Sequence, residues 1–208
     1  MGQALGRLLA DAGHEVVLSN SRGPASLSEL TAEFGPNVSA AAVADAVAGA
    51  DVIVLATPWG KTAEAVSVVS DWSGKIVIDT TNNRKGPGPE GVIDIGDRSS
   101  SEIVAGLVPG ARLVKAFNVT AIPFMAAALG RTPAAENAIF IAGDDADAKA
   151  VVSKLIASVG GEAIDTGDLA TGGRLQGTTG QLANPMRMLT PAEARTLLDE
   201  ALARLNTS

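Results

Sequence analysis

The 208-residue sequence contains no cysteine, no tyrosine and a single histidine, His14. Without cysteine the chain can form no disulfide, no thiolate nucleophile and no cysteine-ligated iron–sulfur cluster. Without tyrosine it lacks one common general acid of enzymes that reduce carbonyl groups. One histidine cannot build a histidine metal site, so no metal site is expected. His14 falls between a predicted helix end and a strand start, where we expect a structural or surface role.

The charge and hydropathy patterns exclude further classes of protein. The 23 acidic residues outnumber the 16 basic ones, the net charge is −7, and lysine and arginine form no cluster. A nucleic acid or an anionic membrane is therefore not an expected partner. No apolar run approaches the roughly 18 residues of a membrane span, and no signal peptide is visible. We expect a cytoplasmic protein that binds small molecules.

The sequence does contain a regular alternation of strand and helix patterns. Continuous apolar runs, typical of parallel strands that are covered on both faces, occur at 16–18 and 52–55, and further strand patterns occur at 75–79, 112–116 and 137–142. Segments with helical spacing separate them. This alternation predicts an α/β fold with one Rossmann-like, doubly wound and mostly parallel sheet in a single domain. We expect residues 1–168 to form the dinucleotide-binding part, and residues 169–208 to add a glycine-rich loop and a last helix to the same domain.

Residues 2–22 contain half of a dinucleotide-binding motif. Leu5, Leu8 and Leu9 have helical spacing, and Gly13 supplies the residue that ends the helix before the first strand. The Rossmann fingerprint G-x-G-x-x-G places a pyrophosphate at such a helix start, and Gly2 matches its last glycine. The strand and the two glycines that normally come before Gly2 are expected in an upstream segment, because the sheet would otherwise leave two strand edges unpaired.

The end of the first strand predicts which coenzyme binds. An NAD site usually carries an acidic residue about 20 residues beyond the fingerprint, whereas an NADP site replaces it with a cation. Here the positions are Ser19, Asn20, Ser21 and Arg22, with no carboxylate. Arg22 could pair with the 2′-phosphate while Asn20 and Ser21 donate hydrogen bonds, which favours NADP(H) over NAD(H). The alternative is an ordinary polar loop with a solvated arginine.

The next strand ends in Thr57, Pro58 and Trp59, before another helical pattern. The carboxyl ends of parallel strands form the edge at which ligands bind, so these three residues could pack on the ribose and adenine of a nucleotide. A proline at a helix start and a tryptophan that packs over the helix end explain the same residues. The sequence leaves both interpretations open.

Two later strands end in amide and aromatic side chains. Asn82 follows the strand at 75–79, and Phe117 and Asn118 follow the strand at 112–116. An aromatic ring and amides at this edge could flank a nicotinamide, whose face needs apolar cover and whose carboxamide needs polar partners. The alternatives are an Asx turn at Asn82 and a core position for Phe117.

Two features near the carboxyl-terminal end concern structure. Asp144 and Asp145 resemble a metal loop, but acidic residues directly before a helix predict capping. Thr190 to Glu193 form a capping box for a last helix, whose apolar stripe covers either the sheet or a second subunit. The intervening residues 167–185 could form a flap over a second substrate or a plain linker.

The segments GQALGRLLADAGHEVVLSNSR, VLATPW, SSSEIVAGLV, LVKAFN and IAGDDADAK resemble the NADP-dependent oxidoreductases typified by the NADPH:coenzyme F420 reductases. The resemblance extends to about Asp168 and implies a homodimer that transfers hydride between NADP(H) and a deazaflavin. It also implies site residues: Ser21 and Arg22 at the 2′-phosphate, Thr57 to Trp59 along the nucleotide, and Asn82, Ala116, Phe117 and Asn118 near the nicotinamide and the acceptor.

Two departures bear on the acceptor. A lysine that some family members have shortly after the arginine is Ser26 here, and KAFN with DTTN is closer to the reductase domain of six-transmembrane metalloreductases, which use a flavin. Coenzyme F420 and FMN or FAD therefore both stay open as the second ligand. Hydride transfer between two ring cofactors needs alignment more than acid–base catalysis, so no catalytic side chain is expected. Lys115 and Asp79, both within strands, are the remaining acid–base candidates. The alternative function is a non-catalytic NADP(H)-binding redox sensor that docks a partner.

Overall fold

The computed structural model describes residues 1–86, 88–130, 136–183 and 186–205. Strands and helices alternate along the chain, which confirms the predicted α/β class. The strands are β1 (Val16–Leu18), β2 (Val38–Ala40), β3 (Val52–Leu55), β4 (Ile76–Asp79), β5 (Arg112–Ala116), β6 (Asn137–Gly143) and β7 (Gly161–Asp165). The helices are α1 (Gly2–Asp11), α2 (Ser28–Phe34), α3 (Val43–Gly49), α4 (Thr62–Val66), α5 (Ser100–Leu107), α6 (Ile122–Ala128), α7 (Ala146–Ser158), α8 (Gly172–Leu175) and α9 (Pro191–Leu205), with short 3₁₀ helices at Pro24–Leu27, Trp59–Lys61 and Pro89–Gly91.

The strands form two sheets. The larger sheet has the order β3-β4-β5-β6-β7, and β1 pairs with β2 in a separate two-stranded sheet. All pairs are parallel except β5 with β6, which confirms a mostly parallel arrangement. Within the described residues, β1 and β3 share no hydrogen bonds, so the two sheets are separate there.

The prediction that β1 is covered on both faces is wrong. Val17 is 45 % exposed, although its neighbours in β1 are half-buried. An apolar strand is fully covered only when it has a strand on each side and a helix on each face. Since β1 pairs with β2 alone among the described strands, its apolar sequence predicts more burial than this position provides.

The larger sheet is covered on both faces, as in a doubly wound fold. One face packs against α1, α6 and α7, and its cluster includes Leu5, Ile78 and Met125. The other face packs against α3, α4 and α5 around Val77 and Val104. The last helix, α9, lies on β6 and β7, so its apolar stripe covers the sheet.

Side-chain caps begin three of the helices. Asp145 accepts a hydrogen bond from the backbone N–H of Ala148, which confirms the predicted capping role. Ser99 and Glu102 form a reciprocal capping box at α5, and Thr190 and Glu193 form the predicted one at α9. Among the described residues, no three histidine or acidic side chains come together as metal ligands would. The longest helix described there, α9, has 15 residues, which is shorter than a membrane-spanning helix.

The α9 capping box predicts a pH dependence of stability. The Arg187 guanidinium, together with hydrogen bonds from Thr190, lowers the pKa of Glu193 from 4.5 to about 2. A carboxyl whose pKa falls on folding stabilises the protein above the unfolded pKa, and this contribution is lost as pH falls towards about 2. We expect Glu193→Gln to flatten the loss of thermal stability between about pH 4.5 and 2, and Arg187→Ala to act in the same direction. If the melting temperature falls by the same amount between about pH 4.5 and 2 in all three proteins, the assignment is contradicted.

Candidate functional site

The candidate site lies at the edge where the parallel strands end. β3, β4 and β5 run parallel, so the loops that follow them meet at one edge of the sheet. The helix α1 begins at the same edge, because a Cβ on Gly2 would lie 3.5 Å from the Cβ of Ala56, the first residue after β3. Its last turn leads into β1, so β1 also ends there. The fold therefore brings together most residues that the sequence assigned to a ligand.

The first turn of α1 is suited to an anion. Its opening backbone N–H groups have no partner within the helix, and the helix dipole adds positive charge. Met1 provides no side-chain cap, and the first turn contains no acidic residue. Burial lowers the pKa of the Met1 ammonium by desolvation. This turn is compatible with a pyrophosphate beside Gly2, because it contains no acidic residue.

Internal hydrogen bonds brace the loop after β1. The Asn20 side chain accepts a hydrogen bond from Arg22 N at 2.9 Å and donates one to Ser26 Oγ at 3.0 Å. Ser26 Oγ in turn donates to the Gly23 carbonyl at 2.7 Å. The Asn20 amide is thus engaged in shaping the loop, whereas Ser21 and Arg22 are exposed. Within the described part of the chain, no hydrogen bond or ion pair engages the Arg22 guanidinium.

The loop after β3 is partly occupied by packing. The Thr57 and Thr62 hydroxyls lie 2.9 Å apart, and Pro58 directly precedes the short 3₁₀ helix that starts at Trp59. The Trp59 ring is half-buried against the cluster around Val66. Both interpretations stay open. Pro58 and Trp59 begin and cover a helix, and Trp59 is only half-buried, so part of its ring is accessible.

Asn82 and Asn118 join the ends of β4 and β5. The Asn82 side chain donates to the Asn118 carbonyl at 3.0 Å, and the Asn118 side chain donates to Asn82 Oδ1 at 3.2 Å and to the Gln176 carbonyl at 2.7 Å. Thr178 donates to Asn83 Oδ1 at 2.9 Å. These bonds hold the segment after α8 over the sheet edge. Asn118 Oδ1 is buried and accepts no hydrogen bond within the described residues.

Ala116 and Phe117 present only backbone groups at this edge, because both side chains are buried. Ala116 is fully buried, and the Phe117 ring is 5 % exposed and packs in the core with Met125. The ring therefore occupies the core position that the sequence left as an alternative. Phe117 has a φ of 61°, and no other non-glycine residue of the described chain has a positive φ. Such a conformation costs about 1–3 kcal/mol and occurs mainly where a precise turn is needed.

Breaking the Asn118 contacts should loosen the segment around α8. Asn118→Ala leaves the Gln176 carbonyl and Asn82 Oδ1 without a donor, at a cost of about 1–3 kcal/mol. We expect amide hydrogen exchange at Gln176, which is bonded to Gly172 O, to accelerate about tenfold or more. Asn20→Ala, on the loop after β1, serves as the control and should leave this exchange unchanged. Equal exchange in both variants would show that Asn118 does not hold the segment.

The first 83 residues match the model of a protein family described as coenzyme F420-dependent NADP oxidoreductases. Two solved structures extend the similarity over nearly the whole chain. A hypothetical protein from Sinorhizobium meliloti is 39 % identical, with 90 % of this chain and 89 % of that one covered and a TM-score of 0.80. A candidate F420-dependent NADP reductase from Arthrobacter sp. FB24 is 26 % identical, with coverages of 98 % and 87 % and a TM-score of 0.68.

The match to this family covers residues 1–83, and the two solved structures extend the similarity over the rest of the chain. A further relative is the metalloreductase STEAP3 of Rattus norvegicus, which is 30 % identical over 199 residues. That alignment covers 94 % of this chain and 36 % of STEAP3, so the chain spans about a third of that protein's length. The match over residues 1–83 agrees with the resemblance found in the sequence.

A buried ion pair joins β4 and β5 next to the candidate site. Lys115 and Asp79 are both fully buried, and Lys115 Nζ donates to Asp79 Oδ2 at 3.3 Å, to the Thr81 carbonyl at 3.1 Å and to Ser100 Oγ at 3.0 Å. Asp79 also accepts from the Thr81 N–H at 2.8 Å, the Thr81 hydroxyl at 2.7 Å and Ser101 Oγ at 2.5 Å. Each of the three ammonium hydrogens of Lys115 has an acceptor. These bonds hold the ends of β4 and β5 together.

Sequence reasoning named Lys115 and Asp79 only as acid–base candidates and missed their pairing. The two residues are register partners in the β4–β5 ladder. The available signal was a charged residue, Asp79 or Lys115, in each of two strand patterns that are mostly apolar. It indicates a buried pair only when the strands are known to be neighbours in that register.

Proposed function

We propose that this protein transfers a hydride between NADP(H) and a deazaflavin, coenzyme F420, or a flavin, FMN or FAD. The observation that carries the proposal is the end of β1, where Arg22 is exposed, its guanidinium has no partner within the described residues, and no carboxylate is present. A guanidinium in this position suits a phosphate monoester and disfavours the unmodified ribose that an acidic residue would hold. The match of residues 1–83 to a family of NADP oxidoreductases supports the same coenzyme.

The coenzyme would extend along the site edge from Arg22 towards Asn118. Ser21 and Arg22 would hold the 2′-phosphate, the start of α1 at Gly2 the pyrophosphate, and the loop of Thr57, Pro58 and Trp59 the adenine side of the nucleotide. Asn20 would contribute by bracing the loop, since its amide is engaged with Ser26.

The nicotinamide would lie over the ends of β4 and β5. Asn118 Oδ1 is a buried acceptor without a donor in the described chain, and such an atom favours a ligand N–H group. A carboxamide NH₂ supplies that group. Asn82 would fix the orientation of Asn118 through their reciprocal bonds, and Ala116 and Phe117 would offer backbone groups to the ring.

The side chains of this site can align and desolvate two rings, and no proton transfer by the protein is required. NADPH, when bound, supplies the hydride, and the acceptor ring takes it. The task left to the chain is to hold the two reacting carbons within about 3–3.5 Å and to exclude water. Lys115 is not available as an acid, because its ammonium is buried beneath the site and its three bonds are satisfied.

The proposal is tested by following NADPH absorbance with the purified protein and one acceptor at a time: coenzyme F420, FMN, FAD and a ferric chelate. We expect oxidation of NADPH with the deazaflavin or with a flavin, and none without an acceptor. NADPH binding without consumption by any acceptor would favour the redox sensor. Turnover with the ferric chelate alone would contradict a ring acceptor. The homodimer and the cytoplasmic location stay predictions from the sequence.

A further inference from the structure

Gln176 carries a buried acceptor that the proposed coenzyme site does not use. Its side chain is 1 % exposed, and its Oε1 atom accepts no hydrogen bond within the described residues. A buried polar atom without a partner costs free energy, so buried amide oxygens normally have a donor. Asn118 Oδ1 is likewise unpaired, and the proposed nicotinamide carboxamide supplies its donor. Gln176 Oε1 needs a donor of its own.

The hydrogen bonds of Gln176 leave its oxygen as the unpaired atom. Thr166 Oγ1 donates its one proton to the Ile141 carbonyl at 3.0 Å. The same hydroxyl therefore accepts from the Gln176 NH₂ group, whose nitrogen lies 2.9 Å away. The amide thus uses its donor within the protein and offers its acceptor. Only an N–H or O–H group can complete it.

Gln176 lies beside the part of the site proposed for the nicotinamide. Its backbone carbonyl accepts from Asn118 Nδ2 at 2.7 Å, and its side-chain partner Thr166 follows β7. In the order β3-β4-β5-β6-β7, the loop after β3 lies on one side of Asn118 and Thr166 on the other. The next residues, Gly177 and Thr178, are half-buried, so accessible surface begins directly beyond Gln176. A ligand that follows the nicotinamide along this edge meets Gln176 next.

We propose that Gln176 recognises the acceptor ring, its Oε1 atom accepting a hydrogen bond from the imide N–H of a pyrimidinedione. This inference rests on the proposed function, because deazaflavins and flavins share that ring, with N3–H between two carbonyls. The adenine amine of the coenzyme is a donor too, but it lies at the Arg22 end of the proposed site. A ferric polycarboxylate offers acceptors alone and cannot complete Gln176.

The test compares FMN with 3-methyl-FMN, and 5-deazariboflavin with its 3-methyl form, by fluorescence titration in the presence of NADP⁺. Methylation replaces the imide proton, and NADP⁺ fills the coenzyme part of the site without supplying a hydride. We expect the unmodified protein to bind the methylated rings about 10- to 100-fold more weakly, as a site built around one N–H donor does. The unmethylated ring that binds more tightly identifies the class of acceptor.

Three variants separate recognition of the ring from a structural role. Gln176→Met removes the acceptor at nearly the same length and should reduce the effect of methylation to about twofold or less. Gln176→Glu keeps an acceptor oxygen and should retain most of the effect. Gln181→Met, at an exposed glutamine of the same segment, is the matched control and should retain all of it. A variant that only loosened the segment would weaken both rings by the same factor.

The inference is overturned by equal affinity for methylated and unmethylated rings in the unmodified protein, or by an undiminished effect of methylation in Gln176→Met. A loss of NADPH affinity in Gln176→Met with ring binding unchanged would overturn it too, because Gln176 would then contact the coenzyme. NADPH oxidation by methylated and unmethylated rings with equal KM would refute this inference and leave the proposed function intact. Recognition of the imide in a protein that oxidises no NADPH would refute the proposed function alone.

Discussion

Replacing Lys115 with methionine is expected to destabilise the protein by about 3–5 kcal/mol, because the change leaves the Asp79 carboxylate buried without its counter-charge. Methionine matches the length of the lysine stem, so the loss reports the charge more than a cavity. Three hydrogen bonds to Asp79, from the Thr81 N–H, the Thr81 hydroxyl and Ser101, remain in the variant. Urea unfolding followed by circular dichroism measures the difference.

A double-mutant cycle measures the interaction free energy between Lys115 and Asp79 separately from the effect of each single change. Asp79→Asn alone should also destabilise, because it removes the charge that Lys115 needs. The combination of Lys115→Met with Asp79→Asn should cost less than the sum of the two single changes, since no buried charge stays unpaired. Lys154→Met, at an exposed position of α7, is the control and should lie within about 0.5 kcal/mol of the parent. Additive effects at Lys115 and Asp79 would show that the ion pair contributes nothing beyond its separate bonds.

Replacing Arg22 with alanine is expected to weaken NADPH binding by about 10- to 150-fold, which corresponds to about 1.5–3 kcal/mol for a hydrogen bond to a charged group. NADH lacks the 2′-phosphate, so its affinity should change little. Arg22→Lys should restore part of the NADPH affinity, because an ammonium keeps the charge and loses the planar fork of donors. Fluorescence titration of NADPH and NADH measures both constants.

Two controls test whether the loss of NADPH affinity comes from the Arg22 charge itself. Lys154→Ala removes the same unit of charge far from the loop after β1 and should leave NADPH affinity unchanged. Raising the salt concentration should reduce the NADPH preference of the parent and leave Arg22→Ala almost unaffected, because only an exposed charge pair is screened. A parallel loss of NADPH and NADH affinity in Arg22→Ala would mean that the residue supports the loop and does not contact the 2′-phosphate.

The most local features were the most predictable from sequence. Asp145 caps the start of α7 as predicted, and β5 occupies the predicted residues 112–116. The capping box of α9 followed from the four residues Thr190 to Glu193 alone. Such signals depend on neighbours within one turn of chain, so no knowledge of the tertiary fold is needed.

Features that depend on the arrangement of distant strands were less predictable. The apolar sequence of β1 predicts two covered faces, but coverage requires a strand on each side, and Val17 lacks one. The Lys115–Asp79 pair joins residues 36 positions apart whose contact follows from the register of β4 and β5. The buried ring and positive φ of Phe117 likewise follow from how the chain leaves β5 for α6.

The central claim is that the end of β1 selects the phosphorylated coenzyme, and direct titration of the unmodified protein with NADPH and NADH tests it. The account predicts that NADPH binds at least about tenfold more tightly than NADH, as one charged phosphate contact would provide. Equal affinity for the two coenzymes, tighter binding of NADH, or binding of neither would contradict it.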